Sequence, residues 1–428
     1  MSRAFRLLLA SLAINLALHL PAYAEKLIFA DGQAHVIAGE VSERVIRIEN
    51  GTSVRVSAKV EYDANILQPE EWEGNRGVLD VLNGSHLVID DDVVSKYPGS
   101  YELMAVFAGT GSTIDVLSGQ VRSAHVVLLD NSELNLRSGE IIADAGSGNK
   151  SGINLIGDST ANIFGGSVRT GLGDAYAYAI RASDRSVVNL EDGEVIAIAD
   201  TFNAAAVLLD DEAQLSVSGG ILDVYTPYDG SLTVAHLKGN STGTFSDGRA
   251  TISRPLVGTY HLFHLEDHAE LEVTGGHFLV SDEAHDCPQC PTESSVFRVD
   301  DASRLYVAGG DFNFTRPTKG HVDLILNDHT EVTIAGRQFD QPMFQPIADL
   351  EGVVSGTLLD GSRFQFSFAR EPNSVLRLIP EPQATSLGLW ITLPLIRGTH
   401  RRRLAKRSAP INEFETVSVA RTFDHLRT

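Results

Sequence analysis

The chain has 428 residues, 34 Lys and Arg against 56 Asp and Glu, 38 Gly and only two Cys. Residues 25–383 alone carry 24 basic against 53 acidic side chains, a net of −29, which repels phosphate backbones and excludes nucleic-acid binding as a role for the body. Apolar residues fall in short runs between Gly and polar residues, a pattern that fits a loop-rich all-β chain and excludes a helical bundle.

Residues 1–24 open with Arg3 and Arg6, continue through an apolar stretch from 7 to 20, and end in Ala22-Tyr23-Ala24. That order predicts a secretory signal peptide cut between Ala24 and Glu25. The export it implies sets the redox context for the two cysteines.

From residue 25 to 369 the sequence repeats itself. Leu209-Asp210-Asp211-Glu212-Ala213-Gln214-Leu215-Ser216-Val217 aligns with Leu265-Glu266-Asp267-His268-Ala269-Glu270-Leu271-Glu272-Val273, and with the stretch around Asp300-Asp301 that leads to Leu305 and Val307. Extending the frame gives turn positions at Asn50, Asn83, Thr110, Asp130, Gly157, Asp184, Asp211, Gly239, Asp267, Asp301, Asp328 and Asp360, most of them 27 or 28 residues apart. Two residues before each turn stands an apolar residue, from Ile48 through Leu209 to Leu358. Six residues after each turn stands another, from Val56 through Val217 and Val273 to Val307, Ile334 and Phe366. Alternation with polar neighbours has the period of two that a half-buried strand requires. Gly recurs nine residues past the turn at Gly119, Gly139, Gly166, Gly193, Gly220, Gly248, Gly276 and Gly310, and predicts a corner that needs positive φ or has no room for a Cβ. A third strand then begins at Val121, Ile141, Val168, Val195, Leu222, Phe278 and Phe312.

Strand, polar corner, strand, glycine corner, strand and a variable return predict one coil of a parallel β-helix, about twelve coils stacked at about 4.8 Å. In its glycine corners and apolar triplets the pattern resembles the pectin-lyase-like β-helices. The longer gaps place inserts around 69–75 and 281–292.

Acidic pairs recur at the polar corner as Asp210-Asp211, Glu266-Asp267 and Asp300-Asp301. Three readings compete for them: turn residues that tolerate the left-handed region, a Ca²⁺ ladder along stacked carboxylates, or the acid and base of a polysaccharide-cleaving enzyme. Every coil has this position, including those with Asn50, Thr110 or Gly157, so turn chemistry is the expectation, with no catalytic residue and no cofactor assigned. Cys287-Pro288-Gln289-Cys290 sits in an insert, where a local disulfide is expected; a redox dithiol, or a metal site with His285 and His277, is the alternative. His261, His264 and His268 alternate into one turn and offer a second set of metal-type ligands, against the plainer reading of corner histidines. Tyr225 and Tyr228 are expected to close a loop.

The far end holds Pro380-Glu381-Pro382, an apolar segment at 384–396, and the basic cluster Arg401, Arg402, Arg403, Lys406 and Arg407, followed by a tail at 408–428. In that order these parts resemble a PEP-CTERM sorting signal. The resemblance implies a linker at 370–383, a sorting segment at 384–407, transient membrane anchoring with the arginines on the cytoplasmic side, and an exosortase-type membrane enzyme as partner. It also implies a place in the envelope, on the cell surface or in an extracellular matrix. A structural or adhesive role there, with polysaccharide or matrix proteins as partners, is the expectation; a polysaccharide lyase or hydrolase and an autotransporter-like passenger are the alternatives.

Overall fold

In the computed structural model the described residues are 26–42, 45–63, 77–96, 104–123, 125–144, 150–171, 176–198, 203–226, 230–253, 258–281, 293–314, 321–380 and 415–417. They form one long, mostly parallel sheet of short strands with the character of a β-solenoid, and there is no helix among them. Apart from the hairpin near the far end, each strand pairs with its equivalent in the adjacent repeats, not with its neighbour in sequence.

The registers follow the repeat frame. Val56, Ile89, Val116, Leu136, Ile163, Leu190, Val217, Phe245, Val273, Val307 and Ile334 are Cα partners in succession, and all are buried. Ile48, Val81, Ala108, Leu128, Leu155, Ala182, Leu209, Leu237, Leu265, Val299 and Leu326 make a second interior column on the strands before the turn. Beyond the glycine corner, Val121, Ile141, Val168, Val195, Leu222, Ala250, Phe278 and Phe312 complete the lining. Stacking like on like removes each side chain from water on three sides, worth about 1.5–3 kcal/mol for a fully buried aliphatic or aromatic residue.

Both corners have the expected backbone. Asn50, Asn83, Asp130, Asp184, Asp211, Asp267, Asp301 and Asp328 have φ between 40° and 65°, the region that Asn, Asp and Gly tolerate. In the Thr110 turn the left-handed residue is instead Gly111, at φ 69°. At Gly166, φ is 75° and a Cβ would stand 2.4 Å from the Gly139 carbonyl oxygen, so only glycine lets adjacent rungs approach. Under most turns, two residues after the turn residue, lies a small buried hydroxyl that the repeat analysis did not single out, as at Thr52, Ser85, Ser112, Ser132, Ser159, Ser186, Ser241, Ser303 and Thr330; the Asp211 and Asp267 turns carry Ala213 and Ala269 there.

The ends depart from the frame. Leu27–Phe29, Ala34–Ile37 and Val41–Ser42 pair with the strands of the Asn50 rung and form an earlier rung, turning at Asp31 and Gly32. Asp360, expected as the last coil turn, lies instead at the tip of an antiparallel hairpin, Glu351–Leu358 with Arg363–Arg370. The last parallel rung comes from Phe368 to Arg370 on Leu324–Leu326, and from Val375–Pro380 on the strand Glu331–Arg337, so Leu378 occupies the column place expected for Phe366. The boundary expected after residue 369 therefore falls inside a strand. Arg370 stands over Leu326 and donates to the carbonyls of Ile347, Ala348, Asp349, Glu371 and Ser374 at 2.8–3.2 Å, satisfying backbone acceptors at the solenoid's end. At the other end, Glu415–Val417 pairs in parallel with Ala34–Ile37.

Candidate functional site

The turn carboxylates have a backbone task. Asp184 Oδ2 accepts the N–H of Gly157 at 3.0 Å, Asp211 Oδ2 that of Asp184 at 3.4 Å, Asp267 Oδ2 that of Gly239 at 3.0 Å, and Asp301 Oδ2 that of Asp267 at 3.1 Å. Each of these four aspartates thus supplies the acceptor for an exposed N–H of the rung before it. Turn chemistry accounts for the second acid of every acidic pair, with the left-handed backbone and a cross-rung hydrogen bond explained by one side chain.

The first acid of each pair points outward in a different column, and there the rungs build a charged cluster. His236 and His264 are Cα partners on adjacent strands, Gly230–Leu237 and Gly258–Leu265, and Arg298 follows His264 on the next. The two imidazoles stack with centroids 4.5 Å apart at 7°. Two residues further on, next to the turn, the same stacking brings Lys238, Glu266, Asp300 and Asn327 together. Lys238 Nζ is 2.7 Å from Glu266 Oε2, His264 Nε2 is 3.3 Å from Glu266 Oε1, and His236 Nε2 is 3.4 Å from Glu266 Oε2. His264 Nε2 also lies 2.8 Å from Asp300 Oδ2, which takes a bond from Arg298 Nε at 2.8 Å, while Asn327 Nδ2 donates to Asp300 Oδ1 at 2.6 Å.

Electrostatics follow from the packing. His236, and behind it Lys238, hold the Glu266 carboxyl well below the usual carboxylate range against the opposing effect of burial. Burial pushes the Asp300 carboxyl up, but hydrogen bonds from His264, Arg298 and Asn327 outweigh it and set the value at about 2. Burial also pushes the His236 imidazole down, which favours its neutral form.

Of the three histidines on the 261–268 stretch, only His264 joins this cluster. His261 is buried on the strand with Nδ1 2.7 Å from Ser295 Oγ, and burial drives its pKa well down; His268 is exposed in the turn. His236, which belongs with His264, was missed because it stands one repeat earlier in sequence. The signal was present, since both precede their turn residue by three.

A shallow cleft between the early rungs, lined by Arg47, Asp80, Phe107, Thr110 and Asp130, also sets acids beside a base. Its buried Asp80 accepts the Gly77 N–H at 2.8 Å and Arg47 pairs with Glu49 at 2.9 Å, so these groups hold local backbone and side chains.

Pro380 closes the last strand of the body. Glu381, Pro382, the 384–396 segment, Arg401, Arg402, Arg403, Lys406, Arg407, Ala24, Glu25, Cys287, Cys290, His285 and Tyr228 lie outside the described residues. His277 is described; it is exposed, with Nδ1 3.5 Å from Asp311 Oδ2. No helix among the described residues is long and apolar enough to cross a membrane. No family model matches the chain, and neither does any curated protein or solved structure.

Proposed function

We propose that the chain is an exported protein of the cell envelope or extracellular matrix, with a structural or adhesive role. In this reading residues 1–24 are a cleaved leader and the body is a parallel β-helix of about a dozen coils. A PEP-CTERM-like signal at the far end is handled by an exosortase-type enzyme. The observation that carries the reading is positional: the last strand of the body ends at Pro380, the first residue of Pro380-Glu381-Pro382, and the apolar segment and basic cluster follow directly in sequence. In this reading the sorting motif begins on the residue where the folded body ends, with Pro380 itself paired to Gly336. Two prolines also oppose continued strand pairing there.

The body supports a scaffold or adhesin more than a degradative enzyme. Its repeated corner acids accept backbone N–H groups, and its outward columns are ladders of Asn, Asp, Arg and His that can meet polar polymers along the length of the rod. In the anchored form the arginines face the cytoplasm. The pairing of Glu415–Val417 with Ala34–Ile37 needs the tail on the same side as the body, so the anchored form and that pairing exclude one another.

Fusing residues 370–428 to a secreted reporter tests the sorting part. The expected result is membrane association followed by clipping near Pro382 in a host with the sorting enzyme, and neither after Pro380 and Pro382 are both changed to Ala. A reporter that never associates with membrane and is never clipped overturns it. Release of soluble sugar from acidic polymers by the purified body would overturn the non-enzymatic part.

A further inference from the structure

We propose that His236, His264 and Glu266 form a binding site for a borderline divalent transition-metal ion, Zn²⁺ foremost, which staples two adjacent rungs. The inference does not depend on export or sorting; it rests on how the repeat stacks outward-facing side chains.

Geometry is the first argument. A tetrahedral Zn²⁺ with ligands at about 2.0–2.2 Å sets its donor atoms about 3.3–3.5 Å apart. Glu266 offers one oxygen to each imidazole at about that spacing, Oε1 3.3 Å from His264 Nε2 and Oε2 3.4 Å from His236 Nε2. All three donors lie within 4.8 Å of one another, so a small rotation of one imidazole closes the third edge. The strands fix the rest: parallel pairing of His236 with His264 holds both rings in register, and Glu266 follows His264 by two residues and so projects from the same face.

The 3.4 Å approach of Glu266 does not satisfy its nearest imidazole nitrogen. His236 Nε2 is buried and has no hydrogen-bond partner, a state that costs free energy unless something occupies it.

Donor chemistry narrows the ion. Two imidazoles and one carboxylate suit Zn²⁺, Cu²⁺ or Ni²⁺ and do not suit Ca²⁺ or Mg²⁺, which take oxygen sets. Binding requires His264 Nε2 to give up its hydrogen bond to Asp300 Oδ2 at 2.8 Å, and Asp300, held by Arg298 and Asn327, is then the nearest further donor. Lys238 opposes binding, because its ammonium sits 2.7 Å from the oxygen of Glu266 that faces His236. Removing that charge is therefore expected to strengthen binding.

The test uses the full chain with Cys287→Ser and Cys290→Ser, stripped with chelator and titrated with Zn²⁺ by calorimetry and with Co²⁺ by visible absorption. The expected result is one equivalent bound, with Co²⁺ ligand-field bands that lack thiolate charge transfer and with no competition from excess Ca²⁺. Affinity should fall at least about tenfold in H236Q and in H264Q, fall less in E266Q, and rise about tenfold in K238M. K238M is a surface change and gives an answer even where a histidine variant folds poorly. No saturable binding, binding unchanged in both histidine variants, or K238M without a gain would overturn the proposal. Cu²⁺ and Ni²⁺ titrations in parallel identify which ion of the class the site prefers.

Discussion

The rungs that turn at Asn83 through Asp184 and those that turn at Gly239 through Asp328 share one frame but are filled differently. The earlier interior is aliphatic, built from residues such as Leu87, Ile114, Leu134, Leu155 and Ile180. The later interior is aromatic: Phe278 stacks on Phe312 at 4.6 Å, Phe263 on Phe297 at 5.4 Å, and Phe245 lies tilted against Phe278 at 5.0 Å. Phe366 of the capping hairpin closes this stack edge-on at 5.0 Å from Phe312. Strand length changes too. Glu133–Leu136 and Glu140–Ala143 are separate on the Asp130 rung, whereas Glu270–Ser281 runs unbroken through its glycine corner on the Asp267 rung. On the outside, the earlier half carries an amide ladder, with Asn162 Nδ2 donating to Asn135 Oδ1 at 2.9 Å and Asn189 Nδ2 to Asn162 Oδ1 at 2.8 Å. The later half carries the histidine, carboxylate and guanidinium cluster. The frame sets where a side chain goes, and the filler sets what it does there.

The largest expected contrast is in the core. Phe297→Ala should destabilise the later half by about 3–5 kcal/mol, and Leu155→Ala the earlier half by about 2–4 kcal/mol. Because rungs contact only their neighbours, hydrogen exchange should show each loss concentrated in the half that carries the change. Equal loss of protection along the whole rod would break the comparison.

Acid should separate the halves next. Asp300 titrates at about 2 in the folded protein against about 3.9 when unfolded, so the stability it supplies is present above about pH 4 and is lost as pH falls through 2. The loss amounts to about 2 kcal/mol for this largely buried group. Amides of the Asp267 and Asp301 rungs should therefore open first in an acid series, and Asp300→Asn should flatten that response.

The smallest effect sharpens the reading of the corners. Asp211→Ala should cost about 1–2 kcal/mol, because it loses both the left-handed tolerance and the acceptor for the Asp184 N–H. Asp211→Gly should cost less, as Gly157 and Gly239 already fill the same place with φ of 73° and 68°. A catalytic or Ca²⁺-ligating role for these acids would show the opposite: stability unchanged, with an activity or a calcium response lost.

Much of the body was legible because its repeat has fixed offsets. The turn residues, both interior columns and the glycine corners could each be read from one residue type recurring at one place. Asp360 misled because Leu358 and Phe366 reproduce the offsets of a coil, while what decides is the partner: their strands bond to each other as an antiparallel hairpin, and Leu358 meets the preceding rung antiparallel at Gly336. The Asp31 rung was missed because only 19 residues separate it from the Asn50 turn and its strands are brief. The pairing of His236 with His264 escaped because the offsets followed were those of turn and core, and an outward column shows no hydrophobic period.

In-register stacking is the claim on which the rest stands, and distances between spin labels measure it directly. Arg55, Val88, Asp115, Asn135, Asn162, Asn189, Ser216, Thr244 and Glu272 are successive partners in one outward column. Labels at Arg55 and Thr244 should lie about 34 Å apart, and moving the second label to Glu272 should add only about 5 Å despite 28 further residues. A step that follows the residue count instead of the rung count, or a shorter second distance, would contradict the stacked solenoid.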